Sequence, residues 1–133
     1  MSEENVELAG QFYDAWNRGD LDWIADRVTD DFELRPVVGF LDLEEVYRGR
    51  DGWERFARTW LQAWVAATIE LERVEDLGDR LLVLLTSNAT GQGSGVSVRM
   101  RFGHLVTLRD QQVASLVVIE GWDRALEAAG LRE

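Results

Sequence analysis

Leu8, Ala9, Phe12, Tyr13 and Trp16 recur at three- and four-residue intervals and form one apolar stripe, which predicts a first helix. Ser2 is placed to cap it, and Glu3 and Glu4 suit the positive end of its dipole. Gly19 fits the left-handed position that closes a helix. Asp20 reads as the cap of a second, short helix with the stripe Leu21, Ile24, Ala25 and Val28. Asp30-Asp31 reads as a cap or turn that breaks this pattern. Phe32-Glu33-Leu34-Arg35 then alternates like a short strand that stops at Pro36. Residues 37–41 are apolar and loop-like, and residues 45–47 read as a short strand. Asp51 and Glu54 have capping-box spacing ahead of a third helix, whose stripe is Trp53, Phe56, Ala57, Trp60, Leu61 and Trp64.

Beyond residue 66 the period changes from helical to alternating. Strands are predicted over 67–75, 80–90, 96–109 and 113–120, with a glycine-rich hairpin turn at 91–95. The third of these is the clearest. Val98, Met100, Phe102, His104 and Val106 share one face, and Ser97, Arg99, Arg101, Gly103 and Leu105 share the other. A short helix starts near Asp123 and ends at Gly130, with Leu131 placed for a Schellman contact. Segregated helices and antiparallel strands imply an α+β fold, with helices covering one face of a curved sheet. Such a sheet wrapped around helices makes a cone, and the open end of a cone is a natural ligand pocket.

Composition narrows the chemistry. The 133 residues suit a single domain, 1–133. All 14 basic residues are arginine, so a Schiff-base lysine, a P-loop lysine and a Ser–Lys dyad are excluded. The absence of cysteine removes disulfides, thiolate metal sites and a cysteine nucleophile. A net charge of −11 repels phosphates and argues against nucleic acid as a partner. No stretch reaches the ~18 apolar residues of a membrane span. The acidic start, Met1 to Asn5, lacks the basic and apolar parts of a signal peptide, so a cytoplasmic protein is expected. Gly91-Gln92-Gly93-Ser94-Gly95 lacks a P-loop lysine and is followed by a strand, so it is no nucleotide loop. One histidine and no third ligand beside Asp30-Asp31 argue against a metal site, and no cofactor is expected.

The order and spacing of four segments carry a family resemblance. They are Asn17-Arg18-Gly19-Asp20, Asp30-Asp31-Phe32-Glu33, Tyr47-Arg48-Gly49-Arg50-Asp51-Gly52, and residues 125–131. Over essentially its whole length the chain resembles the SnoaL-like group of the NTF2-like superfamily. The resemblance implies a cone with a curved, mostly antiparallel sheet wrapped around N-terminal helices. Its relatives include polyketide cyclases, ketosteroid isomerases, limonene epoxide hydrolases and dehydratases, so fold sets only a prior on activity. The isomerase site does not carry over. Its helix tyrosine falls at Phe12, its base at Pro36 or Arg35, and its pocket acid at His104. The epoxide hydrolase Arg-x-Asp pair does not carry over either, since the nearest segment reads Arg99-Met100-Arg101. A cyclase-type acid–base group deep in the cone also falls at His104.

His104 is therefore the candidate acid or base, with Glu120 as the carboxylate that would orient it and Tyr13 as a hydroxyl donor to a ligand oxygen. Trp16, Trp60, Trp64 and Phe102 are candidate walls for a flat ligand, with core packing as the plainer alternative. Asn88 is a candidate for holding a ligand carbonyl, and a bond to backbone is its alternative. Arg35 and Glu120 are candidates at the cone mouth, with solvated surface as the alternative. The expected protein is a pocket for a small apolar, aromatic or polycyclic molecule. Three functions stay open: a cofactor-independent cyclase, isomerase or dehydratase, a non-catalytic binding module, and an interaction protein. A homodimer through the outer sheet face is expected from the resemblance.

Overall fold

The structure is a computed structural model and describes residues 2–39 and 41–131, Ser2 by its backbone only. The cap expected from Ser2 and Phe40 of the 37–41 loop thus lie outside the described residues. Helix α1 spans Ser2–Asn17 and closes as its sequence implies. Gly19 takes φ +76°, and the N–H groups of Gly19 and Asp20 bond Trp16 and Ala15 carbonyls at 3.0 and 2.8 Å. Asp20 caps α2, Leu21–Ala25, through the Trp23 N–H.

Two expectations fail in the next segment. Strand β1 runs Val28–Val37, so Val28 leaves the α2 stripe, and Asp30-Asp31 sits inside a strand and forms neither cap nor turn. Asp31 instead accepts from Arg109 at 2.6 Å and from Thr29 at 2.7 Å. The strand also continues through Pro36. It pairs in parallel with β6, Gln112–Glu120, while its other neighbour, β2, is only Tyr47–Arg48 and ends opposite Leu34. Pro36 thus lies where one side of β1 has no strand, and a residue without an N–H is tolerated there.

Helix α3, Gly49–Gln62, starts two residues before the expected cap. Gly49 at φ +67° turns β2 straight into the helix. Asp51 therefore lies in the first turn and pairs with Arg55, and no capping box forms. The stripe itself holds, with Trp53, Phe56, Ala57 and Trp60 buried. Trp64 opens strand β3, Trp64–Asp76, instead of ending the helix. Strands β4 (Leu81–Gly91) and β5 (Ser97–Arg109) follow, joined by the glycine turn, and Asp110 and Gln111 make the tight β5–β6 hairpin at φ 52° and 65°.

The six strands form one sheet in the order β2-β1-β6-β5-β4-β3, antiparallel except at β1–β6. Its inner face packs on α1, α2 and α3 in the main core. The expectation that all helices share one face needs correcting. Helix α4, Trp122–Ala128, covers the outer face over Leu82, Leu84, Leu105 and Ile119. Gly103 makes this possible, because a Cβ there would stand 2.1 Å from the Ala125 Cβ. Gly130 and Leu131 complete the Schellman closure through Glu127 and Leu126. Among the described residues no helix is long and apolar enough to cross a membrane.

Candidate functional site

The inner face of the sheet and the three helices enclose a cavity of about 100 Å³. Its walls follow from the two periodicities. Helix α1 contributes Phe12, Tyr13 and Trp16, and α3 contributes Trp53, Phe56 and Trp60. Alternation along β5 places Phe102, His104 and Val106 on the same side. Most of the lining is fully buried, and Trp16, Ile69 and Leu116 are the lining residues that reach solvent in part.

His104 sits between Val83 of β4 and Val118 of β6. It is 9% exposed. Its Nδ1 lies 2.7 Å from the Tyr13 hydroxyl, and the two rings are nearly parallel, 25° apart with centroids at 5.6 Å. Burial pushes the imidazole down to about 3 and the phenol well above its ordinary value. Both groups are therefore neutral across the physiological range. We assign the phenol O–H as donor to Nδ1, since no other described acceptor serves its proton. The ring proton then stands on Nε2.

Sequence reasoning about Tyr13, Trp16, Trp60, Phe102 and His104 leads to residues that do meet in one cavity. Phe12, where the isomerase helix tyrosine falls, also lines the cavity, and its neighbour Tyr13 supplies the hydroxyl that reaches His104. The other candidates lie elsewhere. Phe32 and Leu34 point inward, so Arg35 points out, where it is exposed and bonds Glu33. Asn88 is also on the outer face and donates to Glu70 at 3.0 Å. Glu120 does not orient His104, since it accepts from the Gly39 N–H at 2.9 Å at the end of β6. Trp64 packs on the core from outside the cavity lining.

Two residues escaped the sequence. Asn17 clasps the edge strand β3 with both ends of its amide, Nδ2 donating to Ile69 O at 2.8 Å and Oδ1 accepting from Ile69 N at 2.7 Å. This fixes the end of α1 beside Trp16 at the cavity rim. Ser87 lines the cavity from β4 and is buried. Neither was signalled by periodicity, since one is a helix-end polar residue and the other sits in a strand that is apolar on both faces.

Residues 9–116 match the family model of the SnoaL-like domain. No curated protein matches the chain. Among solved structures it is similar to TerC, co-crystallized with polyporic acid, at 20% identity over 95% of this chain and 98% of that one, with a TM-score of 0.78. It is similar to an NTF2-like protein of unknown function from Burkholderia pseudomallei, at 19% identity over 96% and 95%, TM-score 0.79. It is also similar to SalBIII, an epoxide hydrolase/cyclase-like enzyme in pyran ring formation in polyether salinomycin, at 21% identity over 91% and 93%, TM-score 0.77. At such identities the likeness shows the fold alone.

Proposed function

The chain belongs to the SnoaL-like domain family, and from that premise we propose that it binds a small, largely apolar ring compound in the cone. The observation that carries this reading is the Tyr13–His104 contact of 2.7 Å, a single polar pair set in an apolar, aromatic-walled cavity. Tyr13 holds the imidazole in one tautomer, and Nε2–H meets a ligand carbonyl. Such a donor, fixed in a buried apolar site, stabilises negative charge as it builds on that oxygen. The reading extends to a cofactor-independent step of the cyclase, isomerase or dehydratase type on the carbonyl so held. The cavity of about 100 Å³ is smaller than the roughly 150 Å³ cavity that holds benzene, so even a single-ring guest needs the walls to yield slightly. A polycyclic guest requires the tryptophan walls to move apart.

Binding without turnover is the second reading, favoured by one observation. No carboxylate is among the described cavity-lining residues, and both imidazole nitrogens are engaged, Nδ1 by the phenol and Nε2 by its own proton, so a proton leaving the ligand has no free base there to receive it. NMR of the single imidazole, titrated with ring ketones, tests both readings. Shifted His104 resonances are expected, and a silent imidazole over the whole panel overturns the pocket. Turnover of a bound ketone that survives in His104→Gln overturns the catalytic part alone.

The proposal includes a cytoplasmic homodimer joined through the outer sheet face. Glu70 and Glu72 share that face with Arg99 and Arg101, and a two-fold axis can set acids of one copy against arginines of the other. Sedimentation at the mass of a monomer, at concentrations well above micromolar, would remove this part.

A further inference from the structure

The cavity holds a second polar group that the proposed function does not use. Ser87 is 4% exposed and its side chain lines the cavity from the inner face of β4. No described residue hydrogen-bonds its hydroxyl, and the oxygen is not sealed in the protein interior but open to the cavity. A lone hydroxyl in such a wall costs stability and calls for a partner. Valine or alanine would serve the core better.

The position of Ser87 relative to His104 is fixed by register. His104 faces Val83 across the β4–β5 pair, and Ser87 lies four residues farther along β4. At a strand rise of about 3.3 Å per residue, that is roughly 13 Å. The wall between is apolar, formed by the register pair Leu85 and Phe102. Ile69, the register partner of Ser87 on β3, is one of the partly exposed lining residues, so Ser87 stands toward an opening and His104 deeper. Along the strand direction, with the two side chains projecting side by side from the sheet, a hydrogen bond of about 2.8 Å at each end leaves roughly 7 Å between two ligand oxygens. One six-membered ring with oxygen groups at opposite ends spans about that distance.

We propose that Ser87 is a specificity-determining residue, which selects a para-disubstituted single-ring ligand with a carbonyl toward His104 and a hydroxyl toward Ser87. The inference rests on the pocket reading above. It is tested with the full chain and three probes: acetophenone, 3′-hydroxyacetophenone and 4′-hydroxyacetophenone. Affinities are read from the His104 imidazole resonances, in wild type and in Ser87→Ala. The 4′-hydroxy compound is expected to bind about fivefold more tightly than the other two, the worth of one ordinary hydrogen bond. In Ser87→Ala the preference for the 4′-hydroxy compound over acetophenone disappears, and the melting temperature equals or exceeds that of wild type. Equal affinities for all three probes, or a preference that survives the substitution, overturn the role of Ser87 and leave the pocket standing. A marked fall in melting temperature assigns the hydroxyl a structural role and also overturns it. If no probe moves the imidazole, the pocket reading falls and takes this inference with it.

Discussion

A neutral imidazole sealed against a phenol ties the stability of the fold to pH in a way that one histidine makes measurable. Burial lowers His104 from 6.5 to about 3. The unfolded chain therefore takes up a proton at higher pH than the folded one. The stabilisation is complete above pH 6.5 and is lost as pH falls toward 3, below which both states are protonated and the loss levels off. Each unit of separation is worth about 1.4 kcal/mol. At pH 5.5 the loss from this one residue is roughly 1 kcal/mol, at pH 4.5 about 3 kcal/mol, with a ceiling near 5 kcal/mol. The comparison is with His104→Gln, which keeps a polar partner for Tyr13 but does not titrate. Urea unfolding of both proteins, followed by tryptophan fluorescence at pH 7.0, 5.5 and 4.5, gives the difference directly, because shared carboxylates cancel. The difference should shift against wild type by these amounts. Parallel stability curves, within about 0.5 kcal/mol across that range, would refute the claim that the ring is held neutral by burial.

Three further outcomes follow from particular contacts. Tyr13→Phe strands Nδ1 of His104 and should cost about 1–3 kcal/mol in urea at pH 7, whereas Tyr13→Phe with His104→Leu should recover much of it; a double variant as weak as the sum of its parts would show that the pair is not coupled. Gly103→Ala drives a Cβ to 2.1 Å from Ala125. It should cost about 1–3 kcal/mol and be relieved in part by Ala125→Gly, and a neutral Gly103→Ala would mean that α4 is not seated on β5. Asn17→Ala removes both bonds of the β3 clasp and should lose about 1–2 kcal/mol, with faster hydrogen exchange at the Ile69 amide; unchanged exchange there would contradict the clasp.

The elements with one wet face were legible in the chain. The stripes of α1 and α3 and the alternation of β5 are all two-sided patterns, so period alone orients them. Tyr13 and His104 could be chosen because each lies on such a pattern. Arg35 was misjudged for proximity to a strand end, although Phe32 and Leu34 already fix its outward parity. Asn88 and Ser87 are a different case. Residues 81–87 are buried without interruption, because α3 and α1 cover one face of β4 and α4 covers part of the other. A strand covered on both faces has no readable polarity, and only the pairing with β5 separates Ser87 from Asn88. The long reach of β1 was hidden for another reason. Its main partner, β6, is about 80 residues away, and no local pattern announces a parallel neighbour.

That same parallel seam has a consequence for how the chain acquires its shape. Strand β1 is made early, yet its long neighbour spans residues 112–120. During synthesis the aromatic faces of α1 and α3 must wait, partly uncovered, while the β3–β4–β5 meander forms from near neighbours. Sealing of the cone then depends on closing one long loop, a step slow relative to the local ones. Nascent chains stalled before residue 112 should therefore need chaperone protection, and chains released with α4 complete should not.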